Sequence, residues 1–204
     1  MKFFWHYVKS AMVPFLYLIF MAFIAMGIVM INDNLLYLKI ILSVLNISFY
    51  AYIVAMVFYK DGETALKTRL ANDLERVQIV KTGEDRPLKL IEEYKPWKGF
   101  ITGLFACIPC VILLIVHTIL IFGVSMEITG AGAITGFLYM MFFSLSRLVL
   151  SAGAPSPYLY YVCLICLVVI PLCTGIPYML GARKIEKQQE RIKARQREIY
   201  GDEN

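Results

Sequence analysis

The stretch from Ile40 to Leu70 reads IILSVLNISFYAYIVAMVFYKDGETALKTRL, and two kinds of sequence meet inside it at Lys60. Residues 40–59 are apolar and uncharged, whereas the residues after them mix charged side chains with regularly spaced leucines. About twenty mostly apolar residues are enough for a helix to cross the hydrocarbon core of a bilayer. The stretch therefore predicts a membrane-spanning helix that is followed by an aqueous segment.

Four further uncharged runs accompany this one, and they cover residues 10–31, 99–126, 128–146 and 148–182. The chain is 59% hydrophobic and 17% charged, whereas a typical soluble domain carries about 25% charged residues. Together these features predict an all-α polytopic membrane protein whose main partner is the lipid bilayer. They exclude a soluble globular fold.

The basic residues predict how the chain is oriented. Eighteen of the twenty Lys and Arg residues lie in residues 1–9, 60–98 and 183–197. Short segments rich in Lys and Arg stay in the cytoplasm. We therefore expect a multi-pass plasma-membrane protein with its N-terminus, its 60–98 segment and its C-terminal tail in the cytoplasm. All three share one side only if the chain crosses the membrane four times.

Segment 131–150 is the one that we expect not to cross. It includes most of the shortest apolar run, it follows Gly130, and it contains Arg147, whose burial in lipid is costly. The prediction is four transmembrane helices plus one re-entrant or short membrane segment. The alternative is five full transmembrane helices, with Arg147 at the cytoplasmic end of the fourth and the tail outside.

The chain divides into four predicted regions. They are a first transmembrane helical pair (1–59), a cytoplasmic amphipathic helical hairpin (60–98), a C-terminal membrane region (99–181) and a basic cytoplasmic helical tail (182–204).

One face of the predicted hairpin is apolar. Leu66, Leu70, Leu74 and Val77 recur at spacings of four, four and three, which is typical of one side of a helix. Gly83 is expected to stop this helix, and a second short helix is expected from Pro87 to Pro96. The apolar face is a candidate docking surface for a protein partner or for a second copy of the chain.

Two C-x-x-C pairs, Cys107/Cys110 and Cys163/Cys166, are the only metal candidates that the sequence offers. Four thiolates could hold zinc or an iron–sulfur cluster, and Cys107 with Cys110 could form a redox dithiol. With four spanning helices the two pairs are expected in opposite leaflets, where they cannot share a metal, whereas five would let them meet. Free Cys also packs as a small hydrophobe, so we predict no metal and no cofactor.

His117, Asn46 and Arg147 are the residues that could form an intramembrane polar site. Ionisable groups within a membrane are candidates for function. The structural alternative is a neutral His117 ring that is hydrogen-bonded to Asn46 or Ser43 of a neighbouring helix.

Pro171, Gly175 and Pro177 interrupt the last apolar run and form a possible helix hinge. Broken helices can frame a transporter's substrate site, although Pro and Gly also occur in helices that only kink. No acidic residue lies deep in the apolar runs, where a proton- or sodium-coupled carrier usually needs one. A small oligomeric transporter or channel is the alternative function.

Two pairs of glycines, Gly99 with Gly103 and Gly132 with Gly136, are four residues apart. Small residues at this spacing allow helices to approach closely. The spacing predicts close helix contacts at both places, within the chain or between copies.

The sequence lacks the common enzyme motifs, namely H-E-x-x-H, a P-loop, G-x-S-x-G and paired intramembrane aspartates. Between Lys60 and Lys98, nine basic residues are offset by eight acidic ones, which leaves no electropositive patch for nucleic acid. The sequence favours an accessory, assembly or regulatory subunit that docks partners through the hairpin and the tail. A membrane thiol-redox or metal protein, and an interfacial enzyme that uses Glu92, Glu93 or Glu127, are further alternatives.

Overall fold

The computed structural model describes residues 2–31, 35–83, 88, 90, 92–124, 129–142 and 157–200, and within them the chain is helical, without β-strands. The predicted all-α class is therefore confirmed. The helices, in chain order, are α1 (Lys2–Val29), α2 (Leu36–Thr82), α3 (Lys98–Val124), α4 (Gly130–Leu138), a 3-10 helix (Pro157–Ile165) and α5 (Cys166–Tyr200).

Within these residues, four helical stretches are long and apolar enough to cross a membrane. They lie in α1, in α2, in α3 and between Tyr160 and Ile199. Their length and composition support an integral membrane protein, as predicted.

Helix α4 is by itself shorter than a membrane span, and three further helical residues, 140–142, follow it before the description ends. Its nine residues span about 13 Å, less than half of a hydrocarbon core that is about 30 Å thick. Residues 143–150, which include Arg147, lie outside the described residues. The re-entrant placement of segment 131–150 therefore stays a prediction.

Helix α2 runs without interruption through the junction at Lys60. Its 47 residues extend about 70 Å, more than twice the thickness of the hydrocarbon core. The helix ends at Gly83, which adopts the left-handed conformation (φ 72°) and donates its N–H to the Ile79 carbonyl at 2.8 Å. Gly83 is thus the predicted helix stop, because glycine takes this conformation without steric cost.

The return segment of the predicted hairpin is not helical where it is described. Residues 88, 90 and 92–97 form turns and irregular backbone, while residues 84–87, 89 and 91 lie outside the description. Tyr94 donates its N–H to the Ala65 carbonyl at 3.1 Å, and Glu93 accepts from Asn72 at 2.8 Å and from Arg76 at 2.7 Å. The segment therefore runs back along α2, but the second helix expected between Pro87 and Pro96 is absent from the described part.

Helix α5 packs against both α2 and α3, and glycines allow the close approach. Gly62 lies against the backbone of Tyr178, and Gly181 lies against the backbone of Tyr59, so a Cβ at either position would overlap a carbonyl group. On α3, a Cβ at Gly99 would meet the Thr174 carbonyl oxygen at 2.9 Å. The close contact that the glycine spacing predicted is present at Gly99.

The described parts of the three basic segments lie at one end of the bundle. Tyr7 of α1 stacks on Trp97, with ring centroids 6.4 Å apart. Lys184 of α5 forms an ion pair with Glu63 of α2 at 2.6 Å. We call this the stalk end, and we call the pair of helical segments 60–82 and 182–200 the stalk.

Candidate functional site

The inner half of the predicted docking face, Leu66 and Leu70, packs against α5 of the same chain. Leu66 is 4% exposed and packs with Ala182 and Ile185 of α5, and Leu70 borders the same cluster. Apolar burial thus holds the two stalk helices together near the bundle. Leu66 and Leu70 therefore pack against other residues of the same chain.

The outer half of the face is open. Leu74, Val77 and Val80 are 69%, 53% and 86% exposed, and they lie more than ten residues beyond the apolar run of α2. Exposed apolar side chains are normal where helices face lipid, but an apolar stripe surrounded by water indicates an interaction site. We call these three residues the outer stalk face.

The four cysteines meet, contrary to the expectation for four crossing helices. Cys107 Sγ lies 3.3 Å from the Cys166 carbonyl oxygen, and Cys110 Sγ lies 3.8 Å from the Cys163 carbonyl oxygen. The Cys166 thiol also contacts the thiols of Cys107 and Cys110, and all four side chains are fully buried.

The register of α3 against the last helices explains why the four cysteines meet. Two uncharged runs whose ends lay level would put Gly99, the first residue of one, near Gly181, at the end of the other. In the structure Gly99 instead faces Gly175, six residues earlier. This shift of about 9 Å along the helix axis brings Cys110 level with Cys163.

The geometry of the cysteines is that of a helix contact. Two thiols point at carbonyl groups of the facing helix, an arrangement that links helices in a membrane, where polar groups need a partner. Among the described residues, no group of three or more His, Cys, Asp or Glu side chains is placed to hold a metal ion.

His117 and Asn46 lie in different parts of the bundle. The His117 ring hydrogen-bonds to the Thr129 hydroxyl and contacts the Tyr160 ring edge-on at 5.0 Å between centroids. Asn46 donates to the Met21 carbonyl at 3.1 Å and so links α2 to α1. The expected contact of His117 with Asn46 or Ser43 was wrong, and Arg147, the third member of the predicted polar site, lies outside the described residues.

The predicted hinge is continuous helix. Helix α5 passes through Pro171, Gly175 and Pro177 without a break. Thr174 donates its hydroxyl to the Gly99 carbonyl of α3 at 2.9 Å, and Gly175 lies against the Phe100 ring. The small and polar residues of this segment serve the packing of α3 on α5.

A polar cavity of about 230 Å³, which the sequence did not reveal, lies at the stalk end where α1, α2, α3 and α5 meet. Its lining includes the charged or titratable residues His6, Asp61, Glu92 and Lys98 and the hydroxyl groups of Thr102 and Tyr178. No spacing in the sequence connects these residues, because they come from four helices and the return segment. The only signal was their position, since His6, Asp61 and Lys98 each flank an uncharged run.

The cavity holds buried polar groups. Lys98 is 8% exposed, and the opposite charges of Asp61 and Glu92 act favourably on its ammonium group. Tyr178 is 3% exposed, and its hydroxyl approaches the backbone of Lys95 without meeting hydrogen-bond geometry to any described group. A buried hydroxyl without a partner costs about 1–3 kcal/mol.

Comparisons of the chain with protein-family models, with curated proteins and with solved structures gave no match. The function therefore has to be inferred from the geometry and chemistry of the residues described above.

Proposed function

We propose that the protein is an accessory, assembly or regulatory subunit that docks a protein partner outside the bilayer. The observation that carries this proposal is the outer stalk face, Leu74, Val77 and Val80, which is apolar, exposed and distant from the membrane-spanning part of α2. Three apolar side chains that stay exposed to water do not stabilise the helix. Their burial against a partner would favour binding by about 25 cal/mol for each Å² of apolar surface removed from water.

The stalk is built to present this face. The apolar cluster around Leu66 and the ion pair between Glu63 and Lys184 hold its two helices together at the base. Glu93 of the return segment binds Asn72 and Arg76 on another side of α2. These contacts leave the outer stalk face open and fix its direction relative to the bundle.

The basic residues support a cytoplasmic position for the stalk end. Segments rich in Lys and Arg remain on the cytoplasmic side of the plasma membrane. The tail offers a second docking element, because Ile192 and Ile199 of α5 are 55% and 72% exposed. The partner is accordingly a cytoplasmic protein or the cytoplasmic part of another membrane protein.

The test is co-purification from native membranes in a mild non-ionic detergent, with the bound proteins quantified by mass spectrometry. The docking variant changes Leu74, Val77 and Val80 to Ser. The control changes three exposed polar residues of the same helix, Lys67, Gln78 and Lys81, to Ser.

We expect a partner that is recovered with the wild type and the control and is lost with the docking variant, at equal amounts of the chain in the membrane. Identical sets of co-purified proteins for all three chains would contradict the proposal.

A further inference from the structure

The polar cavity at the stalk end has the composition of a binding site, and it is independent of the docking proposal. Three of its walls come from crossing helices, through His6 of α1, Asp61 of α2 and Lys98 of α3, and Glu92 of the return segment completes the charged lining. A contact between helices in a membrane usually closes with small or apolar side chains. Here the helices instead leave an open cleft of about 230 Å³ beside four titratable groups.

Tyr178 gives a second and independent indication of a ligand. Its ring is held by stacking on Tyr94, with centroids 5.4 Å apart, so the direction of the hydroxyl is fixed. The hydroxyl is buried and lines the cavity, and apart from its approach to the Lys95 backbone it makes no hydrogen bond to a described group. Buried hydroxyl groups almost always have such a partner. A bound polar molecule would supply it.

The charges around the cavity indicate what kind of molecule fits. A ligand with only an acid group would meet Lys98 but would also face the carboxylates of Asp61 and Glu92. A ligand with only an ammonium group would meet the carboxylates but would face Lys98. A molecule that carries both groups complements both signs, and opposite charges in a partly buried site attract more strongly than in water.

The volume limits the size of the ligand. Pockets for drug-sized molecules measure roughly 300–1,000 Å³, so a cavity of about 230 Å³ suits a smaller molecule. We propose that this cavity binds a small zwitterion, with its acid group on Lys98, its ammonium group on Asp61 or Glu92, and a hydrogen bond from Tyr178. A free amino acid and the phosphoethanolamine headgroup of a lipid share this chemistry.

The test is isothermal titration calorimetry on the full chain, purified in a non-ionic detergent without added lipid. Four probes separate the features of the ligand. L-Serine, a free amino acid, and O-phosphoethanolamine, an analogue of the lipid headgroup, each carry an acid group and an ammonium group. Ethanolamine is serine without its carboxylate, and 3-hydroxypropionate is serine without its amine.

We expect at least one zwitterion to bind at a single site, at least about tenfold more tightly than either half-ligand. Serine as the tighter zwitterion indicates a free amino acid, and O-phosphoethanolamine as the tighter one indicates a lipid headgroup. Saturable binding by none of the four probes, or equal affinity for zwitterions and half-ligands, overturns the proposal.

Two variants test whether the ligand binds in this cavity. Tyr178→Phe keeps the stacked ring and removes the hydroxyl, so the affinity should fall about three- to tenfold, the value of one hydrogen bond. The control is Tyr161→Phe, which removes a hydroxyl that bonds to Thr118 away from the cavity. Unchanged affinity in Tyr178→Phe, or an equal loss in both variants, contradicts the assignment.

Discussion

The contact between α2 and α5 and the contact between α3 and α5 share one helix but are built differently. Between α3 and α5, the Thr174 hydroxyl and the Cys107 thiol each point at a carbonyl group of the facing helix, and glycines allow the close approach. Between α2 and α5, the close approach at Gly62 and Gly181 gives way within a few residues to the apolar cluster of Leu66, Ala182 and Ile185 and to an ion pair.

A change of solvent near Lys60, which the charge pattern predicts, would explain the difference. In lipid, apolar burial does not drive helices together, so they associate through small residues and hydrogen bonds. In water the burial of apolar side chains drives helices together, and ion pairs at the surface are hydrated. The chemistry of the α2–α5 contact changes near Gly181, where the uncharged runs of both helices end.

The largest effect on stability is expected from a change at Gly181, where the close glycine contact between α2 and α5 gives way to the apolar cluster. Gly181→Ala places a Cβ against the Tyr59 backbone, and two backbones cannot give way, so unfolding should become easier by about 3 kcal/mol. The measurement is a thermal melt of the purified protein in detergent, followed by circular dichroism. The control is Gly27→Ala, where no atom of the described residues lies within 4 Å of the added Cβ and the better helix propensity of Ala should raise stability. Shifts of the same sign in both variants would contradict the close contact.

A smaller effect is expected on the aqueous side of α2–α5. Leu66→Ala removes a buried side chain from a small cluster and should cost about 2 kcal/mol, the lower end for such changes. Leu74→Ala, at a position that is 69% exposed, should leave the melt of the isolated protein unchanged. The same thermal melt compares the two, and equal losses would mean that the outer stalk face is covered within the chain.

The smallest effect is expected on the lipid side of α5. Thr174→Val keeps the shape of the side chain and removes the hydrogen bond to the Gly99 carbonyl, which is worth about 0.6 kcal/mol in membrane bundles. Thr82→Val serves as the control, because the Thr82 hydroxyl is exposed and bonds only within its own helix. A loss as large as that of Leu66→Ala would show that this hydrogen bond contributes as much to stability as the buried Leu66 side chain does.

The apolar runs were sufficient to predict the class, since a bilayer admits few other structures for uncharged runs of this length. The number of four long helices was predicted from the distribution of Lys and Arg, because the sequence contains five such runs. The stop at Gly83 followed from the conformational freedom of glycine. The depth of the cysteines did not follow, because composition places a segment in the membrane without fixing its register against a neighbour. The sequence also did not show that one continuous helix, α2, runs through Lys60. A change from uncharged to charged residues predicts a change of solvent, but it does not predict the end of a helix.

The sequence by itself determined that this is an all-α membrane protein whose basic segments favour one side, because the cost of placing charge in lipid depends on the residues alone. Only the tertiary structure decided that Leu66 is internal while Leu74 is exposed, that the four cysteines meet, and that His6, Asp61, Lys98 and Tyr178 line one cavity. Each of these depends on the register of one helix against another, which glycine contacts and side-chain shape fix in three dimensions.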